Sequence, residues 1–497
     1  MAGKFSNWCE SLANCARVYN ASKKCSPTTL SSASSPPYPP IRAAPSELQG
    51  FRLSRNLVGI VSTSILAQAC FRIPPGRLAA ALMTLGFALA RGELQDQASR
   101  GHVVTLNTNQ VLEIDGRKVF PIGFSLGPPP EGMTPEGKPA LAELAEAGAL
   151  FVRTGARTNG WSREVIEAES AYLDAAARHG MFCWPYLREL ASIGPTHPTR
   201  EELLRKIVTR FRHHPALLAW KGADEPEWGK LPLPPLLRAR EILRELDPHH
   251  PMVTIHAPRG TVESLRPYND TADILGADIY PVSYPPGIHS LSTNKTLGLV
   301  GEHTRLIREV ADGRLPVWMV LQISWSGVLK PGKTLRFPTF PEERFMTYQA
   351  IINGARGLVY FGGHNVQAMG PQDARLGWNW TFWRRVLRPV IEEIGVHSPL
   401  APALVAPDSS LPLRATGATG LEFCAREVGA DLFVLACKDG GETARIEFSG
   451  LPPGATLGEV LYESPRTVEV KSGRFSDWFA PYEVHVYRFR LPAPPAQ

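Results

Sequence analysis

Two acidic residues stand side by side in the segment "WKGADEPEW", which covers residues 220–228. Asp224 and Glu225 follow the apolar stretch "HPALLAW", and Pro226 comes directly after them. An apolar run of this kind predicts a buried strand, and the proline behind it predicts that the strand ends there. A carboxyl group at the end of a buried strand is a candidate acid or base, because burial raises its pKa.

Strand-like apolar runs alternate with amphipathic helical stretches from residue 103 onwards, as in "REVIEAESAYLDAAARHG" followed by "MFCWPYL". This alternation predicts right-handed crossovers and a parallel sheet. Eight such units in about 250 residues predict a closed (β/α)₈ barrel, the TIM-barrel fold of the α/β class, rather than an open sheet. The strands are predicted within residues 120–125, 149–155, 181–187, 216–226, 252–258, 273–282, 315–325 and 357–365.

The pattern changes from residue 410, where short alternating runs such as "DLFVLACKD" and "YEVHVYRFR" are separated by Gly and Pro turns. These runs predict a small antiparallel β-sandwich. We therefore predict three regions. They are a leader and low-complexity segment (1–100), a (β/α)₈ barrel (101–400) and a C-terminal β-sandwich (410–493).

The leader contains a stretch that resembles a secretory signal peptide, "RIPPGRLAAALMTLGFALARGE". Arg72 and Arg77 precede a short apolar core, and an A-x-A pattern ends it at Ala90. We expect a secreted or periplasmic protein on this basis. The alternative is a disordered tail followed by an apolar helix that packs on the barrel. The apolar run is too short to cross a bilayer, so we expect no membrane span in the mature chain.

The basic character of the chain is confined to its beginning. The net charge is +6, but residues 1–92 contain ten Lys or Arg and two acidic residues, which leaves residues 93–497 slightly acidic. We therefore expect no nucleic-acid partner. The loop "GPPPEGMTPEG" lacks a G-x-G-x-x-G motif, and the three cysteines after residue 100 lack metal-binding spacing. We expect no cofactor and no metal site.

Polar and aromatic residues stand at the predicted carboxyl ends of the strands, where (β/α)₈ barrels place their reactive groups. Aromatic rings stack on sugar rings, and carboxylates and amides bind sugar hydroxyls, so this set favours a carbohydrate site. The candidate catalytic residues are Glu225, Asp224 and Asp278. The candidate substrate-binding residues are Arg153, Tyr186, His256, Tyr280, Gln322, Trp325 and Asn365.

Three segments resemble the clan A glycoside hydrolases, a large superfamily of (β/α)₈ barrels. "IDGRKVFPIGF" is similar to their first strand, and "HPALLAWKGADEP" is similar to their fourth strand, which typically ends in Asn-Glu-Pro. "GRFSDWFAPYEVHVYRF" is similar to the β-sandwich that follows many bacterial barrels of this kind. The resemblance covers roughly residues 103–493. It implies a glycosidase that cleaves O-glycosidic bonds in oligo- or polysaccharides, with Glu225 as general acid or acid/base.

The sequence departs from this family at two positions. Asp224 stands where the family has Asn, and Gln322 stands where the family has its nucleophilic Glu. A glutamine cannot act as a carboxylate nucleophile, so we consider three alternatives. Asp278 or Asp224 activates a water and the reaction inverts the anomeric centre. Asp224 orients a substrate acetamide as the nucleophile, as in β-hexosaminidases. The third alternative is a non-catalytic carbohydrate-binding barrel. A nucleophile elsewhere in the chain, in the segment that carries Glu302, is also left open.

Several candidates also have a purely structural explanation. Glu225 would then form a salt bridge at the rim, and Arg153 would be a buried ion-pair partner. Asp278 would cap the turn before Pro281, and His256 would be an ordinary hydrogen-bonding histidine.

Overall fold

A computed structural model describes residues 101–157, 160–330 and 335–491. The leader segment and its signal-like stretch lie outside these residues. Within the described ranges, no helix combines the length and the apolar character that crossing a membrane requires.

Eight parallel strands form a closed barrel and follow one another around it in chain order, which confirms the predicted (β/α)₈ fold. The last strand pairs with the first, with Leu358 opposite Ile122. All eight are rich in apolar residues because one face meets the lumen and the other meets the surrounding helices. The barrel strands are Ile122–Ser125 (β4), Phe151–Gly155 (β5), Phe182–Tyr186 (β6), Trp220–Asp224 (β7), Met252–His256 (β8), Ile274–Asp278 (β9), Val317–Gln322 (β10) and Gly357–Phe361 (β11).

Helices connect the strands on the outside of the barrel. Several begin at the expected capping residues: Ser162 accepts a hydrogen bond from the N–H of Val165, and Thr339 forms a reciprocal cap with Glu342. The α-helices are Ala140–Glu146 (α1), Arg163–Arg178 (α2), Pro198–Phe211 (α3), Leu233–Leu246 (α4), Val262–Leu265 (α5), Leu299–Ala311 (α6), Phe340–Ile352 (α7), Pro371–Leu376 (α8), Trp380–Phe382 (α9), Arg388–Ile394 (α10) and Ala401–Leu404 (α11).

Short helical turns complete the connections. They are the 3₁₀ turns Arg188–Ala191, Arg266–Thr271, Ser326–Leu329 and Val366–Ala368, and the π-helical turn Trp383–Leu387 between α9 and α10.

A three-stranded antiparallel sheet covers the amino-terminal end of the barrel. Its strands are Val104–Leu106 (β1), Leu112–Ile114 (β2) and Arg117–Val119 (β3). Apolar side chains of this sheet pack with those of the lumen in one core cluster. This end of the lumen is therefore closed to water, and the opposite end carries the polar residues.

The lower part of the lumen is filled by three aromatic rings, those of Phe151, Trp184 and Trp318. Their centroids lie 5.5–6.0 Å apart, at distances typical of favourable aromatic pairs. Side chains on one face of a strand recur every second residue, so the next lumen-facing residues after Phe151 and Trp184 are Arg153 and Tyr186. The lumen thus changes from apolar to polar within one side-chain layer.

The C-terminal strands form two antiparallel sheets, as predicted for the β-sandwich. Helix α7 contacts this domain, and the Arg344 side chain donates to the carbonyl of Val484 at 2.7 Å. The sandwich strands are Arg414–Thr416 (β12), Leu421–Val428 (β13), Asp431–Lys438 (β14), Ala444–Ser449 (β15), Leu457–Leu461 (β16), Thr467–Glu469 (β17), Arg474–Phe479 (β18) and Val484–Arg490 (β19).

Candidate functional site

A backbone irregularity aims Glu225 at the lumen. The pairing of β7 with β8 shifts register between Lys221 and Asp224, which is the mark of a β-bulge. Glu225 then adopts a left-handed conformation with φ +48°, and its N–H donates to the carbonyl of Ile255 at 2.7 Å. A non-glycine residue in this region stores backbone strain, and such strain is common at functional sites. The bulge and the left-handed turn together direct the carboxyl group toward β9.

The carboxyl groups of Glu225 and Asp278 meet at the top of the lumen. One oxygen of each lies within 4.8 Å of the other and of a ring nitrogen of His289. Two carboxylates this close in a buried site repel each other unless one of them holds a proton. Burial and the charge of Asp224 raise the pKa of Glu225 to about 6, and burial and Glu225 raise the pKa of Asp278 well above its usual range. The pair therefore binds a proton that two separated carboxyl groups would release, and it titrates as a unit.

The loop after β9 builds one wall around Asp278. The His289 ring stacks on the Tyr280 ring at 4.4 Å, and its Nε2 lies 3.5 Å from Oδ2 of Asp278. Burial and the charge of Arg259 lower the pKa of His289 to about 3, so its imidazole is neutral. Trp325 extends this wall, with its ring 5.1 Å from that of His289. The wall is thus aromatic, and it faces the carboxyl pair.

Asp224 is held apart from the carboxyl pair by a buried lysine. Lys221 lies in the lumen, donates to Oδ1 of Asp224, and has its Nζ 4.3 Å from the centroid of the Tyr186 ring. Nearly half of the Asp224 side chain is exposed. Burial lowers the pKa of Lys221, and Asp224 opposes that effect. Asp224 therefore neutralises Lys221 and contributes negative charge beside Glu225.

Arg153 projects into the lumen from β5 without an ion-pair partner among the described residues. Its guanidinium carbon lies 5.3 Å from the centroid of the Tyr186 ring, and its buried Nε has no hydrogen-bond partner. Burial lowers the pKa of Arg153, and the charge of Asp224 opposes that effect.

Two predicted substrate-binding residues are in positions that do not support that role. Gln322 faces the lumen, but its Oε1 and Nε2 bond the N–H and the carbonyl of Val282, both at 2.8 Å. Its amide thereby fixes the segment after β9. His256 is fully buried on the outer side of β8, because its neighbour Ile255 occupies the lumen side. The imidazole lies 6.1 Å from the Tyr268 ring, and burial lowers its pKa to about 4.

The remaining candidates lie at the rim or in segments that hold the rim loops in place. Asn365 follows β11 and donates to Oγ of Ser324 at 3.0 Å, so it ties together the loops after β10 and β11. Tyr280 is buried between His289 and Phe361, and burial and the charge of Asp278 raise its pKa well above the usual range. Glu302 is bonded by Ser292 at 2.7 Å and Asn294 at 3.3 Å, and it lies on α6 rather than in the lumen.

Sequence reasoning missed Lys221 and His289. Lys221 could have been found, because a lysine inside the apolar run "ALLAWKGAD" is costly to bury unless an acid pairs with it. His289 lies eleven residues beyond the end of β9, in an irregular loop whose fold no local pattern reveals.

Glu225, Asp278 and His289 also form a group of three potential metal ligands in the described part of the chain. Positive charges of Lys221 and Arg259 already act on Glu225 and lower its pKa. A divalent cation would be repelled by these groups, whereas a single proton satisfies the carboxyl pair. The donor set therefore fits a proton better than a metal ion.

No protein-family model and no curated protein matches this chain. Its structure is similar to that of a protein described as a glycoside hydrolase, with 13% identity and a TM-score of 0.51 over 79% of this chain and 97% of that chain. It is also similar to a glycoside hydrolase family 5 protein from Bacteroides vulgatus ATCC 8482, with 14% identity and a TM-score of 0.51 over 80% of this chain and 95% of that chain. At these identities the similarity shows the fold.

Proposed function

We propose that this protein is a glycoside hydrolase that cleaves O-glycosidic bonds in oligo- or polysaccharides, with Glu225 as the general acid/base. The observation that carries the proposal is the carboxyl pair of Glu225 and Asp278 at the carboxyl end of the barrel, with the pKa of Glu225 raised to about 6. Glycosidases use two carboxyl groups on either side of the scissile bond. The two structural neighbours described as glycoside hydrolases support the same class.

The separation of the two carboxyl groups favours retention of the anomeric configuration. Oxygens within 4.8 Å leave no room for the water of an inverting reaction, which requires about 6.5–9.5 Å between the carboxyl groups. Asp278 is then the nucleophile that the family's seventh strand does not supply here, because that position is Gln322. The proposal therefore prefers retention to the inverting alternative, in which Asp278 or Asp224 activates a water.

The reaction then runs in two steps. Glu225 donates its proton to the glycosidic oxygen while the Asp278 carboxylate attacks the anomeric carbon, so the C–O bond breaks and a glycosyl ester forms. Glu225 next takes a proton from a water that attacks the same carbon and releases Asp278. In the reacting complex the proton of the pair lies on Glu225 because Glu225 reaches the rim, where the leaving group departs.

The test is a hydrolysis screen on aryl glycosides and polysaccharides, with NMR detection of the first anomer released. We expect the anomer of the substrate. Glu225→Gln should lose most activity on poor leaving groups and least on activated aryl glycosides. Asp278→Asn should lose activity on both, and azide should restore it with an inverted product. A first product of opposite configuration would make Asp278 a base instead. Cleavage that depends on a 2-acetamido group would favour the substrate-assisted mechanism.

Binding without any cleavage across the screen would favour the carbohydrate-binding barrel and would contradict the proposed enzyme.

We further propose that the protein is exported to the periplasm or the medium, on the strength of the signal-like segment that ends near Ala90. Detection of the mature chain in the cytoplasm alone would contradict this.

A further inference from the structure

Arg153 carries a lumenal charge that no described carboxylate neutralises at ion-pair distance. Its nearest ring contact is Tyr186, at 5.3 Å, and its buried Nε is without a hydrogen-bond partner. Lys221, the other lumenal cation, differs because it is paired with Asp224. A buried charge without a partner is costly, and the cost is recovered when an opposite charge binds beside it.

A second arginine strengthens this local excess of positive charge. Arg157 follows β5 and is close enough to lower the pKa of Arg153. The same two arginines, together with burial, lower the pKa of His364 to about 3. Glu169 lies near Arg157, but burial raises the pKa of Glu169 to about 7, so it carries only part of a negative charge near neutral pH. The positive field at the end of β5 is therefore only weakly balanced.

The negative groups of the site do not cancel this field. Glu225 and Asp278 share a proton and together carry about one negative charge, and Asp224 is already engaged by Lys221. Arg259 adds a further cation at the rim, where its guanidinium carbon lies 4.3 Å from the centroid of the Trp228 ring. In the form that would bind substrate, the described cations outnumber the described anions at this end of the lumen.

We propose that the sugar bound in this site carries an anionic group, a uronate carboxylate or a sulfate ester, and that Arg153 binds that group. The inference rests on the proposed glycosidase function and names its substrate class. A guanidinium presents two parallel N–H donors that match a carboxylate or a sulfate. The contact with Tyr186 orients the Arg153 guanidinium, and burial strengthens its interaction with an anion because the local dielectric constant is low.

The experiment compares matched aryl glycosides that differ only in the group at C6. Glucosides, glucuronides and glucoside 6-sulfates, and the galactose counterparts, are assayed in both anomers with the full-length protein. We expect kcat/KM to be about 10²-fold higher for an anionic substrate than for its neutral counterpart. The uronide and sulfate arms distinguish the two anions. Equal or better cleavage of the neutral glycosides would overturn this inference and leave the glycosidase proposal intact.

Variants of Arg153 test the residue itself. Arg153→Gln should lower kcat/KM for the anionic substrate about 10²-fold, mainly through KM, and should lower kcat/KM for the neutral counterpart by a much smaller factor. Arg153→Lys keeps the charge and should recover part of the loss. Arg163→Gln, at an exposed arginine of α2 paired with Glu167, is the matched control and should change neither. An equal loss on both substrates would overturn the assignment, provided that circular dichroism shows a folded variant.

Calorimetry separates failure of binding from failure of catalysis. The Glu225→Gln variant is titrated with glucuronate, glucose 6-sulfate and glucose, and with their galactose counterparts. Preferential binding of an anionic sugar, lost in the double variant with Arg153→Gln, would support the inference even where cleavage is slow. Absence of any preference would overturn it. If no glycoside is cleaved by the unmodified protein, the proposed function fails, and any remaining anion preference would describe a binding protein.

Discussion

Two buried groups of charged residues in this protein are built in opposite ways. At the junction of the barrel and the sandwich, Glu393 accepts from Nε of Arg344 at 2.8 Å and from the hydroxyl of Tyr348 at 2.9 Å. Opposite charges meet there. In the lumen, Glu225 and Asp278 bring two acids together, and Arg153 has no ion-pair partner among the described residues. Within the lumen, therefore, two acidic groups lie side by side, and the charge of Arg153 lacks a counter-ion.

The difference separates a structural role from a functional one. The opposite charges of the junction pair neutralise each other in the folded protein, although Nη2 of Arg344 is buried without a hydrogen-bond partner, and the pair joins the two domains. The charges of the lumenal groups are satisfied only when a proton and a ligand are present, which is the state that the proposed reaction uses. Burial alone does not mark a site. Glu343 of α7 is fully buried and its oxygens have no described partner, but it lies on the outer side of the barrel, away from the lumenal groups. Burial raises its pKa well above the usual range.

The largest expected effect is on activity. Glu225→Gln should lower kcat on unactivated glycosides by about 10²–10⁴-fold, because the amide cannot donate the proton that the leaving oxygen needs. Glu393→Gln is the matched change at the junction and should leave kcat of the folded protein within about twofold. Steady-state kinetics on both purified variants measure the contrast. Comparable losses of kcat in the two variants would remove the distinction between the two groups.

The next largest effect is on stability, and here we expect the larger loss at the junction rather than in the lumen. Arg344→Met should lower the free energy of unfolding by about 3–5 kcal/mol, because it leaves the Glu393 carboxylate buried without its cation. Arg153→Met removes an unpaired lumenal cation and should cost far less, or stabilise the protein. Chemical denaturation monitored by fluorescence gives both values. A larger loss from Arg153→Met than from Arg344→Met would show that Arg153 has a structural partner.

The sequence predicted the architecture better than it predicted the site. Every barrel strand lies within or at a segment identified from alternating apolar runs, because burial on both faces leaves a strong local pattern. The orientation of a side chain at a strand end follows from register and bulges, which depend on neighbouring strands. His256 was therefore expected at the rim but lies outside the lumen, and Gln322 was expected to bind substrate but is bonded to Val282.

The carboxyl pair should also appear in the pH dependence of activity. The mechanism needs one proton on the carboxyl pair. The pKa of Glu225 is raised to about 6, and burial and the charge of Glu225 raise the pKa of Asp278 well above its usual range, so the pair takes up its second proton as the pH falls through about 6. The value of kcat/KM should therefore fall as the pH falls through about 6, and it should fall again at high pH, where the pair loses its remaining proton. A pH–rate profile from pH 4 to 9 measures both limbs. An unchanged rate between pH 5 and 8 would contradict the assignment of Glu225 as the acid.

The smallest effect expected is a gain in stability from removing one acid of the pair. The pKa of Asp278 is raised by burial and by Glu225, so the folded state holds its proton more tightly than the unfolded chain does. For a carboxyl group whose pKa is raised on folding, stability is greatest at low pH and is lost as the pH rises above the unfolded value. Asp278→Asn abolishes this loss and should raise the free energy of unfolding by about 1–2 kcal/mol at pH 7, with little gain at pH 4.

Asp270→Asn is the control for that measurement, since this aspartate is largely exposed and should give no pH-dependent gain. Urea unfolding of both variants at pH 4, 5.5 and 7 measures the difference. The gain should grow with pH in Asp278→Asn because the cost of ionising the second carboxyl group grows with pH. A variant less stable than the unmodified protein at pH 7 would show that Asp278 is held by compensating contacts, as Glu393 is at the junction. The two buried groups would then be alike.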